Sequence, residues 1–311
     1  NHNGKLKYAK KLIDAAIDAN ADAIKFQTYK VDRIVSKWSS PDSYKMLKKY
    51  ELTDDEFAEI SDYSKQRGII FCSTPFDKTS SDMLEKLNVP LYKTSSGDLN
   101  NIPLLTHISK KKKPVFISTG MSTIEEIKEA IDSTSMFNDQ IVLLHCTSIY
   151  PPYYNEVNLR VIPTLAKKFN VLVGYSDHTL GYEVSIGAVC FGAKIIEKHL
   201  TLDNKMHGPD HKASLEPDKF KEMVRAIRNI EKALGTYNKK VLPREKNIRK
   251  LARRSIIAIQ DIPRNKKIKM EDVDVLRPTG GIAPKYLYKV LGRNTSTYIK
   301  KGTKLKWSLL D

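Results

Sequence analysis

The chain has 311 residues, 41% hydrophobic and 29% charged, which is long enough for one sizeable core and a small appended domain. Its apolar runs stay short of the roughly 18 residues that a membrane span needs, and the start Asn1-His2-Asn3-Gly4 is polar, so a cytoplasmic protein without a signal peptide or a membrane partner is expected. The net charge of +17 is unevenly placed: residues 236–311 hold 20 Lys/Arg against 6 Asp/Glu, and residues 1–235 hold 33 against 30. No RNA-binding motif or recognition-helix pattern accompanies the basic tail, so it reads as a lysine-rich surface and excludes nucleic acid as the expected partner.

From Leu6 the pattern LKYAKKLIDAAID keeps Leu6, Ala9, Leu12, Ile13, Ala16 and Ile17 on one helical face, and ADAIKFQTYK follows as a strand. The same order returns down the chain. Helices over DDEFAEISDYSKQRG, SSDMLEKLN, NIPLLTHIS, TIEEIKEAID, VNLRVIPTLAKKF and EVSIGAVCFG precede the strands IIFCSTPF, PLYKTSSGD, PVFISTG, IVLLHCTSIYP, VLVGYSDH and AKIIEKH, and PDKFKEMVRAIRNIEKALG closes the series. Seven strands alternating with eight helices, the strands largely apolar, fit a parallel sheet covered by helices. An eighth strand just upstream of Asn1 would complete an α/β fold of the (β/α)8 TIM-barrel type, and no glycine fingerprint supports a Rossmann alternative. Residues 1–235 are thus expected to form the barrel. Residues 236–252, polar, basic and interrupted by Pro243, read as a linker arm. The short strands and turns of 253–311 read as a small β-rich domain. Cys72, Cys146 and Cys190 lie in apolar patterns, which suits buried thiols in a reducing compartment.

Nearly every strand ends in a polar cluster, and a barrel gathers such clusters on the rim where barrel enzymes carry out their chemistry. Two of them end in histidine. His178 and His199 close consecutive strands of one β-α-β unit, so their imidazoles can converge on a divalent metal and leave positions open for water or substrate. The loop His207-Gly208-Pro209-Asp210-His211 follows. Lys25 and Lys93 interrupt otherwise apolar strands, where each needs an anion to offset its desolvation.

The segments NHNG, ADAIKFQTY, STPFD, KTSSGDLNNIPLL, STGMSTIEEI, LLHCTSIYP, GYSDHTLG, EKHLTLD and GPDHKASLEP, in this order, resemble the sialic acid synthase family over essentially the whole chain. The tail is similar to that family's antifreeze-like (SAF) domain. The resemblance implies condensation of phosphoenolpyruvate with an N-acylated amino sugar, with N-acetylmannosamine and hence N-acetylneuraminate the leading choice, favoured by SSGDLNN. Legionaminic or pseudaminic acid synthesis is the alternative within the family, and a non-catalytic carbohydrate or polyanion binder the alternative outside it. By the same resemblance Lys25, Thr74, Lys93, Ser96, Ser118, Ser148, Tyr150 and Ser176 bind phosphoenolpyruvate, and Gln27, Asp98, Asp210 and Arg277 bind the sugar. Lys93, Asp98, His178 and His199 are the implied catalytic set. The implied cofactor is a divalent metal on His178 and His199, Mn2+ ahead of Mg2+ or Co2+, and the implied assembly is a domain-swapped homodimer in which Arg277 reaches the partner's site. Asp98 stands where many family members carry Glu.

Overall fold

The computed structural model describes residues 1–311. These divide into two compact units, Asn1–Gly235 and Thr236–Asp311, and no helix is long and apolar enough to cross a membrane. The first unit holds one curled sheet of seven strands in sequential order: β1 (Ala23–Thr28), β2 (Ile70–Pro75), β3 (Tyr92–Thr94), β4 (Val115–Ser118), β5 (Ile141–Cys146), β6 (Leu172–Asp177) and β7 (Ile196–Lys198). Every neighbouring pair is parallel. This is the barrel-like α/β architecture read from the alternation of elements, with seven of the eight strands of a (β/α)8 barrel present. β1 and β7 do not pair. They face each other across a cavity of about 430 Å³ whose walls include Ala23, Lys25, Ile195 and Glu197.

The register divides each strand between two faces, because side chains alternate with period two. Ile24, Phe26, Phe71, Tyr92, Val115, Ile117, Ile141, Leu143, Val173 and Tyr175 fall on one face and pack, buried, against the surrounding helices. That apolar layer is the main core. Several helices begin where a side chain satisfies free amides: Thr53 with Glu56, and Thr123 with Glu126, form reciprocal capping boxes, and the Asp77 carboxylate accepts from the Ser80 amide at 2.9 Å. A second cluster joins Val189 of helix Glu183–Cys190 to Met223, Val224 and Ile227 of helix Pro217–Leu234.

Three details depart from the sequence reading. Between β1 and helix Asp54–Gln66 the chain forms two further helices, Val31–Ile34 and Pro41–Tyr50; the latter has no buried residue, so no apolar stripe announced it, and Pro41 at its first turn was its main signal. Cys72 and Cys146 are buried but Cys190 is exposed, and all three thiols are free. Cys190 ends its helix on the solvent side, a placement that a uniformly apolar helix does not reveal. In the second unit, Glu245–Ala252 is a two-turn helix inside the stretch read as an arm. The rest of that unit has less regular strand than expected: β8 (Ser255–Ala258) pairs antiparallel with β9 (Val273–Leu276), and isolated bridges such as Ile262 with Ile299 complete it. Its own core comprises Ile256, Ala258, Ile262, Ile268, Val273, Ile282, Val290, Ile299, Leu305 and Leu310.

Candidate active site

The face of the sheet opposite the helices turns polar toward the strands' C-terminal ends. Lys25 pairs in register with Cys72 and Gln27 with Thr74, Lys93 pairs with Phe116, and Ser176 pairs with Glu197. Period-two alternation therefore places Lys25, Gln27, Thr74, Lys93, Ser118, Ser176 and Glu197 on one surface, with His178 and His199 one step beyond on the same parity.

Glu197 organises the cations of this surface. Its Oε1 lies 2.9 Å from Lys25 Nζ, and its Oε2 lies 3.1 Å from Lys93 Nζ. The contact with Lys93 is one of charge, because Oε2 has no aligned hydrogen-bond donor. Burial by itself would raise the Glu197 pKa, but Lys25 and then Lys93 outweigh it and hold the carboxyl well below its usual range. Burial lowers the Lys93 pKa, with Glu197 opposing. Two lysines against one carboxylate leave a net positive charge in a largely enclosed place, which favours an anion.

Hydroxyls surround that charge. Thr74 Oγ1 and Ser118 Oγ are buried without any hydrogen-bond partner. An unmade hydrogen bond of this kind costs about 1–3 kcal/mol, so two of them on the face that carries Lys25 and Lys93 point to donors kept for a ligand. Ser96 Oγ accepts from the Gly120 amide at 3.1 Å and lies 3.1 Å from Cys146 Sγ. A Cβ at Gly120 would sit 2.2 Å from Ser148 Oγ and 2.8 Å from Ser96 Oγ, so the absence of a side chain there lets backbone and hydroxyls close into one cradle.

The two histidines stand beside it, with ring centroids 5.5 Å apart. The Tyr150 ring lies 4.1 Å from His178 and 5.9 Å from His199. His178 Nδ1 donates to the Thr147 carbonyl at 2.8 Å, which leaves Nε2 with its lone pair free; Ser176 Oγ is 3.5 Å from that nitrogen. His199 Nδ1 is 3.8 Å from Asp210 Oδ2. Burial lowers the pKa of His178, and burial followed by Lys25 and then His178 lowers that of His199 much further. Both imidazoles are therefore neutral at pH 7, the form that ligates metals. The donor set fits a divalent cation: two neutral imidazoles, one oriented by a carbonyl in the manner of metal-bound histidines. No group of three or more His, Cys, Asp or Glu forms a larger ligand cluster, so remaining positions would fall to oxygen ligands.

The other residues singled out from sequence lie at different distances from this centre. Gln27 and Asp210 line the cavity that also holds Lys25, Lys93 and His199. Asp98 is engaged locally, accepting from Ser95 Oγ at 2.5 Å and from Asn101 Nδ2 at 3.3 Å. Arg277 belongs to the second unit, exposed immediately after β9. Sequence reasoning missed Glu197, although its signal was present: a carboxylate two residues before His199 shares its face.

Residues 12–239 match the NeuB family and residues 253–311 match the SAF domain. The N,N'-diacetyllegionaminic acid synthase of Legionella pneumophila is 43% identical over 328 residues, covering 100% of this chain and 92% of that protein. The N-acetylneuraminate-9-phosphate synthase of Homo sapiens is 34% identical over 324 residues, covering 100% and 90%. Among solved structures, the N-acetylneuraminic acid (sialic acid) synthetase of Leptospira borgpetersenii, crystallised with citrate, superposes with a TM-score of 0.76 at 35% identity, over 80% of this chain and 86% of that one. The polar face of the sheet thus lies in a chain that belongs to the NeuB family and carries a SAF domain C-terminal to it in sequence.

Proposed function

We propose that the protein condenses phosphoenolpyruvate with the open-chain aldehyde of an N-acylated amino sugar, giving a nonulosonic acid and free phosphate. The observation that carries this reading is the Lys25–Glu197–Lys93 cluster, with the unpartnered hydroxyls of Thr74 and Ser118 on its face and two neutral imidazoles beside it. Phosphoenolpyruvate presents a carboxylate and a phosphate. Lys25 and Lys93 supply one cation for each, while Thr74, Ser96, Ser118, Ser148, Ser176 and the Gly120 region supply uncharged donors. Glu197 keeps the two ammonium groups apart yet together, so the pocket is ready for a dianion without two bare cations repelling each other.

His178 and His199 would hold a divalent metal, Mn2+ ahead of Mg2+ or Co2+, which when bound supplies Lewis-acid polarisation of the aldehyde oxygen. Asp210 and Gln27 would bind sugar hydroxyls, and the Tyr150 ring packs against both imidazoles. The methylene carbon of phosphoenolpyruvate forms the new bond to the aldehyde carbon, a proton reaches the aldehyde oxygen, water adds at the former enol carbon, and the carbon–oxygen bond to phosphate breaks. The enclosed cationic surface around Lys25 and Lys93 favours the departing anion.

For the acceptor, the higher identity to the Legionella synthase than to the human one favours a di-N-acetylated deoxy sugar; N-acetylmannosamine, suggested by SSGDLNN, is the second reading. We infer also that the active unit is a homodimer in which Arg277 of one subunit binds the N-acyl group at the other's site. Phosphate release, measured with phosphoenolpyruvate, Mn2+ and a panel of mono- and di-N-acetylated sugars, tests the reading. Release that depends on both an amino sugar and Mn2+ is expected; none with any sugar would overturn it.

A further inference from the structure

A charged pair lies behind the two imidazoles, on the face of the sheet that packs against helices. Asp177 and Lys198 are register partners in the β6–β7 ladder, and each directly precedes a histidine. Neither side chain has any exposure, and Lys198 Nζ lies 3.0 Å from Asp177 Oδ2. Lys198 also donates to the Thr179 carbonyl at 2.6 Å. Asp177 Oδ1 accepts from the Thr179 amide at 2.9 Å and from its hydroxyl at 2.7 Å, and Oδ2 accepts from Ser185 on helix Glu183–Cys190 at 2.6 Å. The pair thus grips both backbone polar groups of the residue that follows His178, and ties them to the residue that precedes His199 and to the helix behind.

The surroundings make this placement costly. Tyr175, Val173 and Ala188 belong to the same apolar layer, where an ion pair gains little stability over apolar side chains of similar volume. The stability of the layer therefore does not account for the charges, whereas their contacts converge on the backbone that carries the imidazoles.

We propose that Asp177 and Lys198 are positioning residues that fix the spacing of His178 and His199 at which one divalent cation can be shared, an inference that rests on reading those histidines as a metal site. The test replaces both charges at once, as Asp177→Leu with Lys198→Met, so that no buried charge is left alone. Titration calorimetry with Mn2+ is expected to show affinity about 10- to 100-fold weaker than in the wild type, in a protein that still melts cooperatively. Unchanged Mn2+ affinity in the folded double variant would overturn the proposal. Should that variant not fold, Thr179→Val, which removes one hydroxyl from Asp177, is expected to weaken Mn2+ roughly two- to fivefold, and no change there overturns it equally. A wild type that binds no Mn2+ would defeat the metal reading separately. Positioning is then read by NMR from the exchange of the His178 Nδ1 proton held by Thr147: faster exchange in the variant supports the role, and unchanged exchange rejects it.

Discussion

At the scale of single residues, the chemistry of the site turns on which charges meet. Lys25 and Lys93 were legible in the sequence because an ammonium inside an apolar strand demands a counter-anion. The identity of that anion was not, since Glu197 joins them only once β1, β3 and β7 are in register around a curled sheet. The same applies to Asp177 and Lys198, whose pairing is a property of the ladder. Lys25→Met and Lys93→Met are each expected to weaken phosphoenolpyruvate about ten- to a hundredfold, the equivalent of one charge-assisted contact of roughly 1.5–3 kcal/mol. Sugar binding should change far less. Calorimetric titration of each ligand checks this, with melting curves to confirm the fold; equal weakening of both ligands would assign the lysines to structure alone.

At the scale of elements, the alternation of helix and strand was readable because each has its own period, while the exposed helix Pro41–Tyr50 was not, because it contributes nothing to a core. Close approach between strands is likewise invisible before folding. A Cβ at Gly174 in β6 would meet the Ile195 carbonyl at 2.6 Å and Leu144 Cδ2 at 2.7 Å, so Gly174→Ala should push β7 away and carry Glu197 and His199 with it. A stability loss of about 1–3 kcal/mol is expected, together with a drop in turnover larger than in any surface Gly→Ala control. Denaturant melts and the phosphate assay measure the two; wild-type turnover would contradict the tight-packing account.

In the second unit the 3-10 turn Met270–Asp272 leads into β9, and Asp272 is fully buried there. Its carboxylate accepts from Lys266 Nζ and Gln260 Nε2, both at 2.6 Å, and from the Lys269 amide at 2.8 Å. Burial would raise its pKa, but Lys266 and then the Lys269 amide outweigh that, so the folded value is lowered. The stability this provides is present above the ordinary carboxylate range near about 4 and is lost as pH falls through the lower folded value. Trp307 fluorescence in a Trp38→Phe background should therefore report a second-unit transition that weakens in acid. Asp272→Asn should already be weakened by about 1–3 kcal/mol at pH 7 and show a flatter pH profile. An identical pH dependence in both would reject Asp272 as the source.

For the whole molecule, the proposed dimer predicts complementation. Arg277→Ala and His199→Ala proteins should each be inactive. After subunit exchange, verified by native mass spectrometry, the mixture should recover part of the activity, since one site of a heterodimer joins an intact barrel to an intact partner tail. If Arg277 served its own subunit, every site in the mixture would keep one defect and no activity would return.

Glu197 on β7 reaches back to Lys25 on β1 and to Lys93 on β3. Neighbouring strands of the sheet are also neighbours in sequence, so their pairings close comparatively short loops. The contacts of Glu197 instead join residues far apart in the chain, and they form only once most of the unit is in place. Loop-closure entropy makes such long-range pairings late events, so the anion pocket should be among the last parts of the protein to form during synthesis, and a chain released before β7 would display Lys25 and Lys93 with no counter-charge between them.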